Sequence, residues 1–461
     1  MCRKAVIRII IISVFITLIL SSYSFSQEPE KIIRLVFDEA LTDGTAYQQL
    51  EYLCKNTKGR IPGSPAAAEA VEFTRQALIK AGADSVWLQK VPVPHWERGK
   101  ESCRIHSQFF GYEDLNITAL GLSVGTSAEG IISKIIEVHD FDELKQFGKK
   151  IIEGKIVFFN RPFDNKLINT FSGYSGAVNQ RTQGAAEASK YGAIAVIVRS
   201  ATGSLDNFPH TGVCRYDQNG QKIPAVAVST IGADLLSQWL KSDPDLTVHL
   251  TSTCKNYPDT WSYNVIGEIK GSQKPNEIIT AGAHLDAWDI AEGAHDDGGG
   301  CVQAIEMIRI YKKLAVKPKR TIRAVMFMNE EMSGTGGKTY AEEARKKGEL
   351  HYAALEADRG VMSPRGFGFD AEGARLEKLV NLASYFIPYN IRDFDKGGGG
   401  SDISPLKAQG TLLIGTMPES QRYFYYHHSA NDTFEQVNER ELQMGSAATA
   451  SLIYLIDLLD L

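Results

Sequence analysis

The sequence has no surplus of positive charge. Its 50 Lys and Arg residues are outnumbered by 55 Asp and Glu residues, which leaves a formal net charge of −5. Proteins that bind nucleic acid usually concentrate Lys and Arg in a basic patch. We therefore expect no nucleic-acid partner.

Long apolar runs are also scarce. The run at residues 9–20 is shorter than the roughly 20 apolar residues that a membrane-spanning helix needs. Basic residues precede it, and Ser24-Phe25-Ser26 follows it as a small-x-small cleavage site, as in a secretory signal peptide. We expect residues 1–26 to be a signal peptide, with an uncleaved membrane anchor as the alternative. The mature protein is then secreted or periplasmic and does not associate with a membrane after cleavage.

Cysteine is rare, and no two cysteines form a Cys-x-x-Cys pair. Cys2 leaves with the expected signal peptide, and five widely spaced cysteines remain: Cys54, Cys103, Cys214, Cys254 and Cys301. In an oxidising compartment one or two disulfides can form, and an odd thiol stays free or pairs between chains. The sequence leaves the pairing open.

Two common catalytic motifs are missing. The chain contains no Gly-x-Ser-x-Gly elbow, which disfavours a serine hydrolase. The glycine run Gly298–Gly300 is not followed by the Gly-Lys-Ser/Thr ending of a phosphate-binding loop. The chemistry must therefore come from other residues.

Strand-like and helix-like segments alternate from residue 260 onward. Such alternation is typical of a mixed, mainly parallel sheet flanked by helices, an α/β fold. The predicted strands are 264–268, 278–283, 321–328, 352–357 and 411–414, and the predicted helices are 299–314, 336–347, 373–386 and 437–460. Residues 31–90 also look helical, with Ser64 as the N-cap of one helix and Pro65 in its first turn.

The texture changes between residues 91 and 260, where short β-type runs alternate with turns. This change predicts an inserted, β-rich domain at 116–255. The catalytic domain is then built from two segments, 27–115 and 256–461.

Acidic and imidazole side chains gather where the predicted strands of the catalytic domain end. They are His284 and Asp286, Asp296, the pair Glu330 and Glu331, Asp358, and the histidines His427 and His428 in an aromatic loop. Ligands of open α/β sheets bind at the carboxyl ends of the strands. Imidazole and carboxylate are the usual nitrogen and oxygen ligands of zinc, so this edge is predicted to be a metal site.

The number of acids exceeds what one ion needs. A single catalytic zinc takes three protein ligands and keeps one position open, whereas two ions can share a bridging carboxylate. Neighbouring residues at a strand end point in different directions. One member of the Glu330-Glu331 pair can therefore bind metal while the other acts as a general base on water.

These residues together resemble the motif set of the co-catalytic zinc exopeptidases, which include aminopeptidases, glutamate carboxypeptidase and carboxypeptidase Q. The motifs are His284-x-Asp286, Gly293-Ala294-His295-Asp296-Asp297, Glu330-Glu331, Asp358 and His428-Ser429-x-x-Asp432-Thr433. The stretch AHLDAWDIAEGAHDDGGG is most similar to the carboxypeptidase Q branch. The resemblance covers most of the mature chain, and the predicted insert is similar to a protease-associated domain.

The resemblance implies two Zn²⁺ ions and a role for each residue. One ion would be held by His284, Asp296 and Asp358, and the other by Asp296, Glu331 and His428. Asp296 would bridge the ions and precede a cis peptide bond to Asp297. Glu330 would be the general base for a metal-bridged water, and Asp286 would orient His284 without binding metal.

The implied activity is hydrolysis of dipeptides or short peptides by a secreted exopeptidase, with a homodimer as the implied assembly. An aminopeptidase is the alternative within the family. An amine pocket could use Asp297 or Asp402, and a carboxylate pocket Arg359, Arg365 or Arg422, so the trimmed end stays open. Outside the peptidases, the alternatives are a non-catalytic receptor-like module and a single-zinc glutaminyl cyclase on the same scaffold.

Several other polar residues are expected near the site or elsewhere but are not assigned as metal ligands. The His-Ser-x-x-Asp-Thr register favours His428 over His427, which would be a neighbour or a substrate contact. His295 and Asp289 are expected in loops around the site, and His210 is expected at the surface or in a loop. Ser401-Asp402 resembles a substrate-side loop, although Ile403 stands where many relatives have histidine.

Overall fold

A computed structural model describes residues 28–461, so the predicted signal peptide at 1–26 lies outside the described residues. The described chain forms two eight-stranded sheets with helices packed against them. The helices are α1 (Glu28–Asp43), α2 (Ala46–Asn56), α3 (Pro65–Ala81), α4 (Phe141–Ile152), α5 (Thr170–Ala177), α6 (Asn179–Ser189), α7 (Thr230–Ser242), α8 (Gly299–Lys313), α9 (Thr335–Lys347), α10 (Gly373–Val380), α11 (Ala383–Phe386), α12 (Tyr423–Tyr426) and α13 (Glu439–Leu459).

The strands divide between the two sheets. The first sheet has the order β1-β10-β12-β11-β13-β16-β14-β15, and the second has the order β3-β2-β9-β5-β6-β7-β8-β4. The strands are β1 (Ser85–Glu97), β2 (Glu101–Ser107), β3 (Gly111–Leu115), β4 (Ile117–Ala119), β5 (Ile131–Val138), β6 (Ile156–Phe159), β7 (Ala195–Arg199), β8 (Ala225–Val228), β9 (Thr247–Ser252), β10 (Lys255–Ile269), β11 (Lys274–His284), β12 (Arg320–Phe327), β13 (Leu350–Glu356), β14 (Pro364–Phe369), β15 (Asp393–Lys396) and β16 (Leu412–Pro418).

The centre of the first sheet is parallel. β12, β11, β13 and β16 run in the same direction side by side, whereas β10 and β14 flank them antiparallel. All eight residues of β12 are buried, as expected for a strand covered by helices on both faces. The predicted fold class, a mixed and mainly parallel α/β sheet with helical layers, is confirmed.

Two helices show how the sequence builds the layers on this sheet. α3 begins as predicted, because the Ser64 side chain accepts the Ala67 N–H and Pro65 occupies the first turn. α13 is long and apolar enough to span a membrane by composition alone, but 78% of its most apolar window is buried inside the protein. α13 is therefore a core helix that packs on α1 and α8.

The second sheet lies between β1 and β10 in the sequence. Its strands run from Glu101 to Ser252, so β2 and β3 belong to it although they precede residue 116. Four helices, α4 to α7, accompany these strands. The domain boundaries at 116 and 255 stay a prediction.

Some local predictions differ from the structure. Residues 85–90 belong to β1 rather than to a helix, and the predicted helix 373–386 is two short helices. The strand β14 and the edge strand β15 were not predicted. The five described cysteines are all unpaired and buried, so none of them is in a disulfide.

Candidate metal centre

His284 ends β11 and points towards two carboxylates. Its Nε2 atom lies 3.2 Å from Oδ1 of Asp296 and 3.7 Å from Oδ1 of Asp358. Asp358 follows β13, which pairs in parallel with β11, so the two strand ends meet at the same edge. The His284 Nδ1 atom lies 2.9 Å from the backbone oxygen of Asp286. If the ring proton lies on Nδ1, this contact is a hydrogen bond and Nε2 is the nitrogen that could bind a metal.

Asp296 lies at the centre of the cluster, in the short π-helical turn Ala294–Gly298. Its Oδ1 atom faces His284, and its Oδ2 atom lies 3.4 Å from Nε2 of His428. The peptide bond to Asp297 is cis, as the family resemblance implies. The backbone N–H groups of His295 and Asp296 donate to the Asp432 carboxylate at 2.8 and 3.1 Å, which fixes the turn.

Glu331 and His428 form the other side of the cluster. The Glu331 Oε2 atom lies 2.9 Å from Nε2 of His428 and accepts the Trp288 indole N–H at 2.6 Å. The His427 ring stacks on His428 with centroids 3.6 Å apart, and its Nε2 atom lies 3.9 Å from Oδ2 of Asp296. His428 is thus the nearer histidine, although His427 also lies within reach of a cation beside Asp296.

The spacing of His284, Asp296, Asp358 and His428 is close to what zinc requires, whereas Glu331 and His428 lie closer together, at 2.9 Å. Ligand atoms about 2.0–2.2 Å from a tetrahedral zinc lie about 3.3–3.6 Å from one another. The distances from His284 to its two carboxylates, and from His428 to Asp296, lie near this range. Moreover, Oδ2 of Asp296 and Oε1 of Glu331 are buried without a hydrogen-bond partner, which is costly unless a cation neutralises them. The residues present therefore fit zinc, and two groups of potential ligands share Asp296: one with His284 and Asp358, the other with His427 and His428.

The carboxylate of Asp286 acts on the turn that carries the glutamates rather than on the His284 ring. This carboxylate accepts the backbone N–H groups of Asn329, Glu330 and Glu331 at 2.6, 3.2 and 3.3 Å. The same carboxylate is 3.9 Å from the ring of His284, too far for a hydrogen bond. Asp286 thus holds the turn after β12 that carries both glutamates, while its backbone oxygen orients the imidazole.

Burial and like charges perturb the acids of the cluster. Burial raises the pKa of Glu330, and burial together with the charge of Asp296 raises the pKa of Glu331 well above its usual range. Burial raises the pKa of Asp358 to about 6. For His428, burial and then the neighbouring His427 lower the pKa well below its usual range. An excess of buried carboxylate around the histidines is the electrostatic setting of a cation site.

A cavity of about 350 Å³ opens onto the cluster. Asp296, Glu330, Glu331 and Asp358 lie at its base, and Ser401 lines it beside Glu330. The rest of the wall is mixed: it includes the aromatic residues Phe171, Tyr174, Tyr423 and Phe424, the arginines Arg181 and Arg215, the histidines His427 and His428, and Val178, Thr182, Val213 and Met332.

None of the charged residues that the sequence offered for binding the amine or carboxylate of a peptide lines the cavity. Asp297 and Asp402 are fully buried and do not line the cavity. Arg365 and Arg422 pair with surface acids, whereas Arg359 packs on the Phe171 ring at 5.0 Å. The arginines that do line the cavity are Arg181 and Arg215, which the sequence did not single out.

Residues from the segment that forms the second sheet contact the loop that carries His428. The Thr211 N–H donates to the backbone oxygen of His428 at 2.8 Å, and Nη1 of Arg181 lies 3.2 Å from its Nδ1 atom. His210 is 1% exposed, and its Nδ1 atom lies 2.7 Å from the backbone oxygen of His427. The expectation of a surface or loop position for His210 was therefore wrong in its exposure. These contacts join residues more than 200 positions apart, so no local pattern could reveal them.

Arg60 is a further buried residue near the candidate ligands that the sequence did not single out. It is fully buried, and its guanidinium donates to the backbone oxygens of Leu285, Glu292 and Gly293 at 2.5, 2.5 and 2.8 Å. Three donated bonds from one planar group fix both ends of the loop between His284 and Asp296. Arg60 thereby sets the spacing of two candidate ligands without touching either.

Comparison with known proteins relates the chain to peptidases. The model of peptidase family M28 matches residues 264–453, the segment that holds all the candidate ligands. Carboxypeptidase Q of Bos taurus is 33% identical over 416 residues, which cover 89% of this chain and 85% of that protein. Carboxypeptidase Q of Homo sapiens is 32% identical over the same shares of both chains.

Solved structures agree with these matches. The crystal structure of a peptidase M28 precursor from Shewanella amazonensis superposes with a TM-score of 0.89 at 32% identity, over 93% of this chain and 96% of the other. A zinc aminopeptidase from Bacillus subtilis, at 21% identity, shares the fold with a TM-score of 0.66, over 89% of this chain and 94% of its own.

These matches confirm the predicted resemblance and the predicted enzyme class, a zinc metallopeptidase of the exopeptidase type. The identity to the carboxypeptidase Q relatives extends through both sheets, not only through the segment with the ligands. The chain belongs to peptidase family M28.

Proposed function

We propose that this protein is a secreted dizinc exopeptidase that hydrolyses dipeptides or short peptides. The observation that carries the proposal is the position of Asp296, whose two carboxylate oxygens face His284 on one side and His428 on the other. In this proposal His284, Asp296 and Asp358 hold one zinc ion, and Asp296, Glu331 and His428 hold the other. Bound zinc supplies a Lewis acid that polarises the scissile carbonyl and lowers the pKa of the attacking water.

Glu330 is the proposed general base. It lines the cavity beside the ligands, and burial raises its pKa, which makes its carboxylate a stronger proton acceptor. Its carboxylate takes the proton of the attacking water and passes it to the amine that leaves when the peptide bond breaks. The Asp286 carboxylate keeps Glu330 in place through the backbone N–H groups of the turn.

The charges on the cavity wall favour a substrate with a free carboxylate. Arg181 and Arg215 line the cavity, and among the described residues Arg215 makes no ion pair. The acids that line it are the proposed base and ligands, so no further carboxylate remains there for a substrate amine. This favours cleavage of dipeptides or of the carboxyl-terminal residue over a strict aminopeptidase.

The proposal is tested with matched substrates and a base variant. Free dipeptides, dipeptides with a blocked amino terminus, and aminoacyl nitroanilides are assayed with wild-type protein and Glu330→Gln after zinc loading and metal counting. We expect two zinc ions per chain, hydrolysis of free dipeptides, and a loss of kcat of about 100- to 10,000-fold in the variant, because the proton acceptor is gone.

Each alternative gives a different result in this panel. Cleavage of nitroanilides identifies an aminopeptidase, and cleavage of blocked dipeptides identifies a carboxypeptidase. One zinc per chain with no hydrolysis points to the glutaminyl cyclase type. A protein that binds no zinc and hydrolyses none of the substrates would contradict the proposal and favour the receptor-like module.

A further inference from the structure

We propose that Trp288 is a positioning residue of the metal centre, whose indole N–H fixes the Glu331 carboxylate in the orientation that binds metal. The inference rests on the proposed dizinc function. It adds a residue that contacts no substrate and binds no metal, yet sets how tightly the ion between Asp296, Glu331 and His428 is held.

The contact between Trp288 and Glu331 is short and buried. The indole Nε1 donates to Oε2 of Glu331 at 2.6 Å, while Trp288 is 1% and Glu331 6% exposed. Hydrogen bonds to an ionised carboxylate are about twice as strong as neutral ones, and burial removes competition from water. With Oε2 held in this way the carboxylate cannot rotate freely, and Oε1 is left without a partner.

The indole is suited to this task because it only donates. It has no lone pair for a metal and does not ionise in the ordinary pH range, so it neither competes for zinc nor loses the bond on titration. The indole ring also lies edge-on to the His428 ring, with centroids 5.7 Å apart. One side chain thus touches two of the three ligands proposed for this ion.

The ring of Trp288 is itself fixed by the inserted region. A Cβ atom at Gly121 would lie 2.0 Å from the indole, so only glycine permits this close approach. Around the ring pack Ile61, Trp96, Ala119, Cys254 and Met332. The orientation of Glu331 therefore depends on how the segment entering β5 packs against the catalytic sheet.

Trp96 provides a matched control within the same apolar cluster. It is also 1% exposed, and its indole N–H donates to the backbone oxygen of Ser123 at 3.0 Å. Replacing either tryptophan by phenylalanine removes one buried N–H and part of one ring. Only the change at Trp288 removes a donor from a proposed zinc ligand.

The test compares Trp288→Phe with Trp96→Phe by measuring zinc per chain and the dissociation constants of both ions against a chromophoric chelator. Loss of a group that orients a ligand typically weakens metal binding by roughly 10- to 100-fold. We expect this loss for one of the two ions in Trp288→Phe, with the other ion unchanged, and wild-type affinities in Trp96→Phe. Thermal unfolding of the zinc-free variants checks that both fold.

The wild-type protein offers a second measurement that needs no variant. The indole ¹⁵N–¹H resonance of Trp288 should shift when zinc is added, and the resonance of Trp96 should not. Unchanged zinc affinities in Trp288→Phe, equal losses in both variants, or a Trp288 resonance insensitive to zinc would overturn the inference. Wild-type protein that binds fewer than two zinc ions would instead contradict the proposed function, and the inference falls with it.

Discussion

At the scale of single residues, several side chains position the candidate ligands without contacting a metal themselves. Arg60 fixes the loop between His284 and Asp296, and Asp286 fixes the turn that carries Glu330. Each does so through backbone N–H or carbonyl groups of the metal-binding loops. The position of a proposed ligand is therefore set by buried polar groups whose partners are main-chain atoms.

Asp286→Asn tests this arrangement. The amide keeps the size of the carboxylate but loses its charge and turns one acceptor into a donor, so the bonds to the turn after β12 weaken. Because a displacement of about 1 Å at a catalytic group can cost about 100-fold, we expect kcat to fall by about that factor. KM should change little, since Asp286 does not line the cavity.

The control for this variant is Asp289→Asn. Asp289 lies three positions further along the same loop and pairs with Arg98 at 2.6 Å, away from the glutamates. Its kcat should stay near wild type. If both variants lose activity equally, the special role of Asp286 is contradicted.

At the scale of secondary structure, the caps of helices are the features that the sequence predicts most directly. Ser64 was predicted as the N-cap of α3, and its Oγ accepts the Ala67 N–H at 3.1 Å. We expect Ser64→Ala to lower the free energy of unfolding by about 1 kcal/mol, because that N–H loses its acceptor. Ser64→Asp should retain most of the stability, and chemical denaturation of both variants measures the difference.

A pH-dependent contribution comes from the buried interior of the first sheet. His351 in β13 is 2% exposed and contacts the Tyr340 hydroxyl at 2.8 Å. Burial, followed by the charge of Arg323, lowers its pKa to about 4. Because the unfolded imidazole titrates near 6.5, the stabilisation is complete above that pH and is lost as the pH falls towards 4.

Replacing this histidine should flatten the acid limb of the stability curve. Over this window the wild type loses up to about 3 kcal/mol through His351, which His351→Gln cannot lose. Denaturation of zinc-free protein between pH 7 and 4.5 gives the difference between the two slopes. Parallel curves would show that His351 does not titrate on unfolding.

The elements that the sequence predicted and those it missed differ in burial. β12 and α8 are buried along their length and show clear apolar patterns, and both were predicted within a few residues. β15 lies at the edge of the sheet, and the exposed charges of Asp393 and Lys396 hide its alternation. β14 lies between β16 and β15, and its two glycines weaken the apolar pattern of a six-residue strand. β1 was partly read as helix because it follows α3 after only a short turn.

At the scale of the whole molecule, the candidate site combines parts of the chain that fold far apart in sequence. The proposed ligands were all named from the sequence, because each follows a predicted strand or lies in a recognisable motif. Arg181 and Thr211 were not named, and His210 was expected at the surface or in a loop, because their contacts with the His427–Ser429 loop appear only when the two sheets pack together. Pairwise contacts across more than 200 residues leave no periodic trace.

Because the proposed ligands come from distant parts of the chain, we expect metal binding to stabilise the whole fold. A ligand that binds only the folded state adds about 2.7 kcal/mol at a free concentration of 100 times its Kd. We expect chelation of zinc to lower the Tm of wild-type protein by several degrees. Addition of zinc should then restore the Tm.

The double variant Asp296→Asn with His428→Gln serves as the reference. Its Tm should not respond to chelator or zinc, because ligands of both proposed ions have changed. A wild-type Tm that stays constant through chelation would contradict this expectation.

The state of the cysteines has a practical consequence for producing the protein. All five described cysteines are buried thiols, and burial raises the pKa of Cys103 and of Cys214 to about 12, which suppresses the reactive thiolate. No oxidant is required to complete the fold of residues 28–461. Recombinant chain that starts at residue 28 can accordingly be made in the reducing cytoplasm of a bacterial host and handled in thiol-containing buffers.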